Sequence, residues 1–180
     1  MIAYKGFNKD LSCTMGKGIY RYEIGRTYRE ETAMCAQTGF HCVEEPIEVL
    51  RWYAGRDARY CIVEVAGDIN EDGYERISCT EMTILKEINL KMLGILECKW
   101  MLEHPERQYS NMVMRDEGEA RKGDIVVVRG RHPKAAGELG STIFLVKERK
   151  GEIVNIGAYE IDGKNYLPDV YYRADGRRAR

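Results

Sequence analysis

His41 and Cys42, followed by Glu44, are the first residues whose types suggest chemistry. A histidine near a cysteine can take the thiol proton and leave a thiolate nucleophile. Neighbouring side chains on a strand point to opposite faces, however, so His41 and Cys42 would not pair directly. Cys35 or Cys61 would reach His41 only through the tertiary fold. The same stretch offers Cys35, His41 and Cys42 as zinc ligands, with a fourth to come from elsewhere, but the spacing fits no common zinc module. The six cysteines, Cys13, Cys35, Cys42, Cys61, Cys79 and Cys98, are dispersed without a C-x-x-C pair. Reduced thiols and no bound metal are the expectation.

A second set of candidates is basic. Between Arg121 and Lys150 stand eight basic residues against three acids, while the whole chain carries a net charge of −1. Arg129, Arg131, His132 and Lys134 lie in this run, and Arg177 and Arg178 in an arginine-rich tail. Such a run can contact phosphates or an acidic protein face. No aromatic interleaving and no known DNA-reading module accompanies it, so electrostatic contact is the most it supports. A solvated face and a frayed tail are the plainer reading.

The elements that must position these residues follow from patterning. A turn at Thr38-Gly39, a short strand, a helix opened by Glu44-Glu45-Pro46 and stopped at Gly55, and the β-rich run Tyr60–Val65 make a central unit. Gly39 supplies a backbone position that a Cβ would hinder. Strands are expected near residues 2–7 and 20–25, and at Glu81–Ile88 with its alternating pattern. Leu90, Leu93, Leu96, Trp100 and Met101 recur at helical spacing, with Asn89 as N-cap and His104-Pro105 as the stop. Trp100 is also a candidate anchor for a partner. Asp124–Val128 and Ser141–Val146 read as strands around a basic loop at 130–140, and Lys150-Gly151 as a hairpin turn.

The fold class expected is therefore α+β, mainly antiparallel sheet with two or three helices and a C-terminal β-meander. The domains expected are an N-terminal α+β unit at 1–104, a linker or exposed loop at 105–122, the meander at 123–172 and a basic tail at 173–180. Composition is ordinary for a globular protein, at 44% hydrophobic and 32% charged. No apolar run approaches the ~20 residues of a membrane helix, and no secretory signal is visible, so a cytoplasmic location is expected.

Tyr4-Lys5-Gly6-Phe7, Gly39-Phe40-His41-Cys42, Leu139-Gly140-Ser141, Asp162-Gly163 and Pro168-Asp169 with Tyr172 resemble a family of phage- and prophage-encoded proteins. That resemblance implies an accessory protein that acts by binding, in the cytoplasm of a host cell. Its partner would be a host protein such as a defence nuclease, or nucleic acid, as for an anti-CRISPR-type inhibitor of CRISPR-Cas, and it would need no cofactor. A virion structural component is an alternative. The order of Tyr4-Lys5-Gly6, Gly39–Cys42 leading into a helix, and Tyr60–Val65 also looks like that of NAD-binding ADP-ribosyltransferases. This likeness implies Tyr4 and His41 as residues orienting NAD and Glu64 or Glu81 as the carboxylate polarising the ribose. The usual Ser-Thr-Ser of that family's second strand is absent.

Overall fold

A computed structural model describes all of the 180 residues except 15–17, 56, 74–75 and 180. The chain folds into two compact units, Met1–Asn89 and Leu90–Arg180. Strand accounts for 49% of the residues and helix for 12%, with two α-helices among the described residues, so the mainly antiparallel sheet is as expected but the protein is predominantly β and fits the α+β class only in part. Among the described residues no helix is long and apolar enough to cross a membrane.

In the first unit, β1 (Ile2–Phe7), β4 (Thr27–Arg29), β5 (Phe40–Val43), β6 (Arg59–Glu71) and β7 (Arg76–Ile88) form one antiparallel sheet. The short pair β2 (Ser12–Cys13) and β3 (Tyr20–Arg21) lies outside it. The pairings close on themselves. β7 bonds β5, β5 bonds β1, β1 bonds β6, and β6 returns to β7. Closure is helped by two register irregularities on β6, after Ile62 and after Ala66, because bulges bend and twist a strand. One of them lets β6 continue to Glu71 through the stretch around Gly67-Asp68 that reads locally as a loop.

Alternation along β6 puts Cys61, Val63 and Val65 inside and Glu64 outside. They meet Ala3, Phe7, Phe40, Ile77, Met82 and Ile84 in one apolar core. The expected helix is shorter than its pattern: a 3-10 turn at Pro46–Glu48 runs into one α-turn, α1 (Val49–Trp52). It docks through buried Ile47 and Val49. The fully buried Glu48 carboxylate accepts from Arg51 Nε at 2.8 Å.

The second unit begins with α2 (Leu90–Glu103), so this helix belongs with the C-terminal strands and the boundary falls at Asn89 rather than after residue 104. The reason is packing. Leu93, Trp100 and Met101 are buried, and Gly94 lies so close to Phe144 that a side chain there would overlap the ring.

The C-terminal strands are β8 (Met114–Ala120), β9 (Ile125–Gly137), β10 (Thr142–Arg149), β11 (Glu152–Glu160) and β12 (Tyr172–Arg173). Two expectations are corrected here. The 105–122 linker contains β8, and the basic loop at 130–140 is largely the second half of β9. Nor is the arrangement a simple meander. β8–β9 and β9–β10 are parallel, while β10–β11 and β9–β12 are antiparallel.

The parallel register repeats. Ile125 faces Thr142 and Glu117 faces Lys134, each partner standing 17 residues further on, while Met114 and Arg115, ahead of a register shift, face residues 14 further on. Gly123 and Gly140, also 17 apart, both take positive φ, at 77° and 86°. A parallel neighbour one fixed interval along the chain is the geometry of a solenoid coil. Ala120, Val126, Val128, Ala135, Ile143 and Leu145 fill the interior of this coil. At the far end, Lys150 and Gly151 both have positive φ, which matches a type I′ hairpin between β10 and β11.

Gly94→Ala tests the docking of α2. The added methyl overpacks the Phe144 contact, so equilibrium denaturation should show a loss of roughly 1–3 kcal/mol.

Candidate functional site

The backbone around Thr38-Gly39-Phe40-His41 builds one wall of a cleft in the first unit. Gly39 has φ 82°, and a Cβ on it would come within 2.6 Å of Ser78 Oγ and 2.9 Å of the Cys79 carbonyl oxygen. This tight approach lets β5 leave the preceding turn and pair with Ile77–Cys79 of β7. The cleft encloses about 580 Å³, inside the usual range of small-molecule sites. Its walls carry Tyr4, Tyr20, Trp52 and Tyr53 as large rings, Lys5 and Arg76 as cations, and His41 between them.

Lys5 is 7% exposed. Its ammonium donates to the His41 carbonyl oxygen at 2.5 Å and lies 5.5 Å from the Tyr22 ring centre and 5.6 Å from that of Phe7. No carboxylate pairs with it among the described residues. Arg76, by contrast, is held by Asp72 at 2.6 Å, and its guanidinium lies 5.1 Å from the Trp52 ring centre. Trp52 Nε1 is buried without an acceptor among the described residues. The rings behind this face pack edge to face, Phe7 on Tyr22 at 5.2 Å and Tyr22 on Tyr28 at 5.0 Å. Burial pushes the Tyr22 and Tyr53 hydroxyls well above the usual phenol range.

His41 Nε2 accepts the Ala36 N–H at 2.9 Å. That bond requires a neutral ring with its proton on Nδ1. Burial, then the positive charges of Lys5 and Arg76, hold its pKa below the ordinary histidine value. Ala36 itself has φ 63°, a left-handed conformation that costs a non-glycine residue roughly 1–2 kcal/mol.

His41 does not reach Cys42. Cys42 faces the core, where its bond to the Cys79 sulfur, together with burial, keeps it protonated. Cys35 is held by Asn70, whose Oδ1 accepts the Cys35 N–H at 2.8 Å. All six cysteines are free thiols, and no three metal-ligating side chains cluster among the described residues.

The structure brings together only some of the expected site residues. Tyr4 and His41 share the cleft wall. Glu64 is exposed on β6, and Glu81 is tied to Arg29 at 2.8 Å; neither lines the cleft, where Glu30 is the carboxylate instead. Trp100 is 7% exposed and stacked on His104 at 4.7 Å, so it is a core residue and not an anchor for a partner.

The basic run is likewise divided. Arg129 is 4% exposed, pairs with Glu148 at 2.8 Å and lies over Tyr109. Lys134 pairs with Glu117 at 2.8 Å and lies over Tyr171. Arg131 and His132 are exposed on β9, and Arg177 and Arg178 are exposed near the end of the chain; Arg180 of the expected tail lies outside the described residues.

Lys5, Arg76, Trp52 and Glu30 are the cleft residues that sequence reasoning did not single out. A lysine between Tyr4 and Gly6-Phe7 on an otherwise apolar strand was the available signal for the first. The other three converge only through tertiary pairing.

Residues 1–96 match the model of a family described as a domain of unknown function (DUF7666). No curated protein and no solved structure matches the chain.

The depressed His41 pKa has a consequence for stability. Above about pH 6.5 the ring is neutral in both folded and unfolded chains. As pH falls, the unfolded chain takes up the proton first, so this group withdraws stability below that pH. The melting temperature should drop more between pH 7 and pH 5 in the wild type than in His41→Gln.

Proposed function

We propose that this chain, which belongs to the family of domains of unknown function (DUF7666), acts by binding. The cleft of its first unit takes a small ligand carrying an anionic group on an aromatic ring system, and nucleotides are the class that joins both features. The observation that carries this reading is the Lys5 ammonium, buried beside two aromatic faces with no carboxylate partner among the described residues. Buried charges are ordinarily paired. Cation–π contact offsets part of the cost, and a ligand anion in the cleft would offset more. The ring-lined walls supply apolar contact for a base, and Glu30 and Gln37 supply polar groups for orientation.

The positions of Tyr4 and His41 favour a second reading, an enzyme that transfers ADP-ribose from NAD. Glu30 would then have to serve where Glu64 and Glu81 cannot. A third reading, an inhibitor of host defence or a virion component, would use exposed surface such as Arg131 and His132 instead of the cleft.

Isothermal titration with ADP, NAD, pyrophosphate and adenosine separates these readings. ADP should bind more tightly than either pyrophosphate or adenosine. Lys5→Met should weaken ADP at least ~10-fold, equivalent to about 1.4 kcal/mol. It should change the melting temperature by only a few degrees, since losing the bond to the His41 carbonyl is offset by removing the desolvation cost of a buried ammonium without a counter-charge. The double substitution Arg131→Ala, His132→Ala should leave ADP binding intact. Absence of binding by all four compounds would overturn the cleft reading. NAD turnover lost in Glu30→Gln would establish the enzyme.

A further inference from the structure

The turn that ends in Gly39 is a small closed structure. The Met34 N–H donates to the Thr38 carbonyl at 3.1 Å, and the Gln37 and Thr38 N–H groups both donate to the Met34 carbonyl at 2.9 Å. Its tip, Ala36 and Gln37, forms part of the cleft wall while standing exposed to solvent. Side chains from the sheet fasten it at three points, and Ser78 Oγ on β7 supplies one by donating to the Thr38 carbonyl at 2.5 Å. Asn70 takes the Cys35 N–H, and His41 takes the Ala36 N–H. Only the His41 fastening can be switched by a proton. The carbonyl oxygen of Asn70 accepts at any pH, whereas the Nε2 lone pair of His41 is lost when the ring is protonated, and two N–H groups then face each other.

We propose that His41 is a proton-operated latch on the Met34–Thr38 turn: neutral, it holds Ala36 against the cleft wall, and protonated, it releases that tip and widens the cleft mouth. The release adds one proton at Nε2 and breaks one hydrogen bond. The backbone favours release once the bond is gone, because Ala36 is held at positive φ. The groups around the ring set where the switch lies. Lys5 from β1 and Arg76 from β7 oppose protonation, while Asp72, at the end of the β6–β7 hairpin, and a hydrogen bond with the Gly39 backbone favour it. An anion entering beside Lys5 would offset both cations and draw a proton onto His41, so filling the cleft and freeing its rim would be linked events. That linkage rests on the cleft being a ligand site. The latch itself does not.

The test therefore uses the full-length, ligand-free chain, labelled with nitrogen-15 and titrated from pH 8 to pH 5 by nuclear magnetic resonance. Exchange protection of the Ala36 amide, corrected for the intrinsic pH dependence of exchange, should fall at least 10-fold with the same midpoint as the His41 ring. Protection within β6 and β7 should stay constant. In His41→Gln, where the side-chain oxygen can stand in for Nε2 but does not titrate, Ala36 should remain protected throughout. Asn70→Ala should loosen the turn at every pH and leave the His41-linked step in place. Ala36 protection that stays level through the His41 titration, or that falls equally in His41→Gln, would refute the latch. The wild-type titration decides the matter even if a variant folds poorly. Because no ligand is added, failure of the latch is distinct from failure of the ADP titrations.

Discussion

A buried ammonium is the constraint on which the first unit turns. Lys5 sits on a strand that registers with β5 at a single residue pair, Tyr4 with Val43, and its Nζ adds a charge-assisted bond to the His41 carbonyl across that thin seam. Hydrogen bonds from a charged donor are about twice as strong as neutral ones. The lysine therefore helps to hold β1 against β5 while placing an uncompensated positive charge beside the cleft. Burial first, and then this same charge, disfavour a proton on His41, and the neutral ring can then accept from Ala36. One side chain thus links strand pairing, the protonation state of the cleft and the conformation of its rim.

The two units solve the edge problem of β-structure differently. In the first, sheet closure leaves few free strand edges, and β7 carries the heaviest duty by pairing with β4, β5 and β6 along its length. In the second, stacking does the work: each segment of β9 finds a parallel neighbour one interval away, and the antiparallel strands β11 and β12 cover the outer members. Open strand edges invite pairing with other chains, and both arrangements blunt them. The cleft forms in the first unit because closure brings side chains from β1, β5 and β7 to one wall.

Local patterns were legible where packing and propensity agreed. Gly39, α2 with its stop before Pro105, the alternation of Cys61, Val63 and Val65, and the Lys150-Gly151 hairpin could all be read directly. The opposition of His41 and Cys42 also followed from strand geometry. What failed to show was non-local. β8 buries Gly118 and Ala120, which carry little hydrophobic signal, and Lys134 looks solvated until its partners Glu117 and Tyr171 are known. Arg129 and Trp100 have the residue types of a binding surface but lie in the interior. The recurrence of Gly123-Asp124-Ile125 as Gly140-Ser141-Thr142 was present in the sequence, yet two copies of a degenerate pattern are easily passed over. The cleft could be foreseen only through Tyr4 and His41, since its charge depends on which side chains lack partners.

The 17-residue register makes chain length in the second unit a quantised quantity. Inserting or deleting one whole interval between β8 and β10 would add or remove a layer while returning the chain to the same point, with Gly123-like corners and inward alanines and valines in place. Changes of other lengths would have to be taken up at an irregularity such as the one after Arg115, where the β8–β9 offset passes from 14 to 17 residues. The unit is therefore able to vary in height by duplication while both of its ends stay unchanged, a freedom that the closed sheet of the first unit lacks.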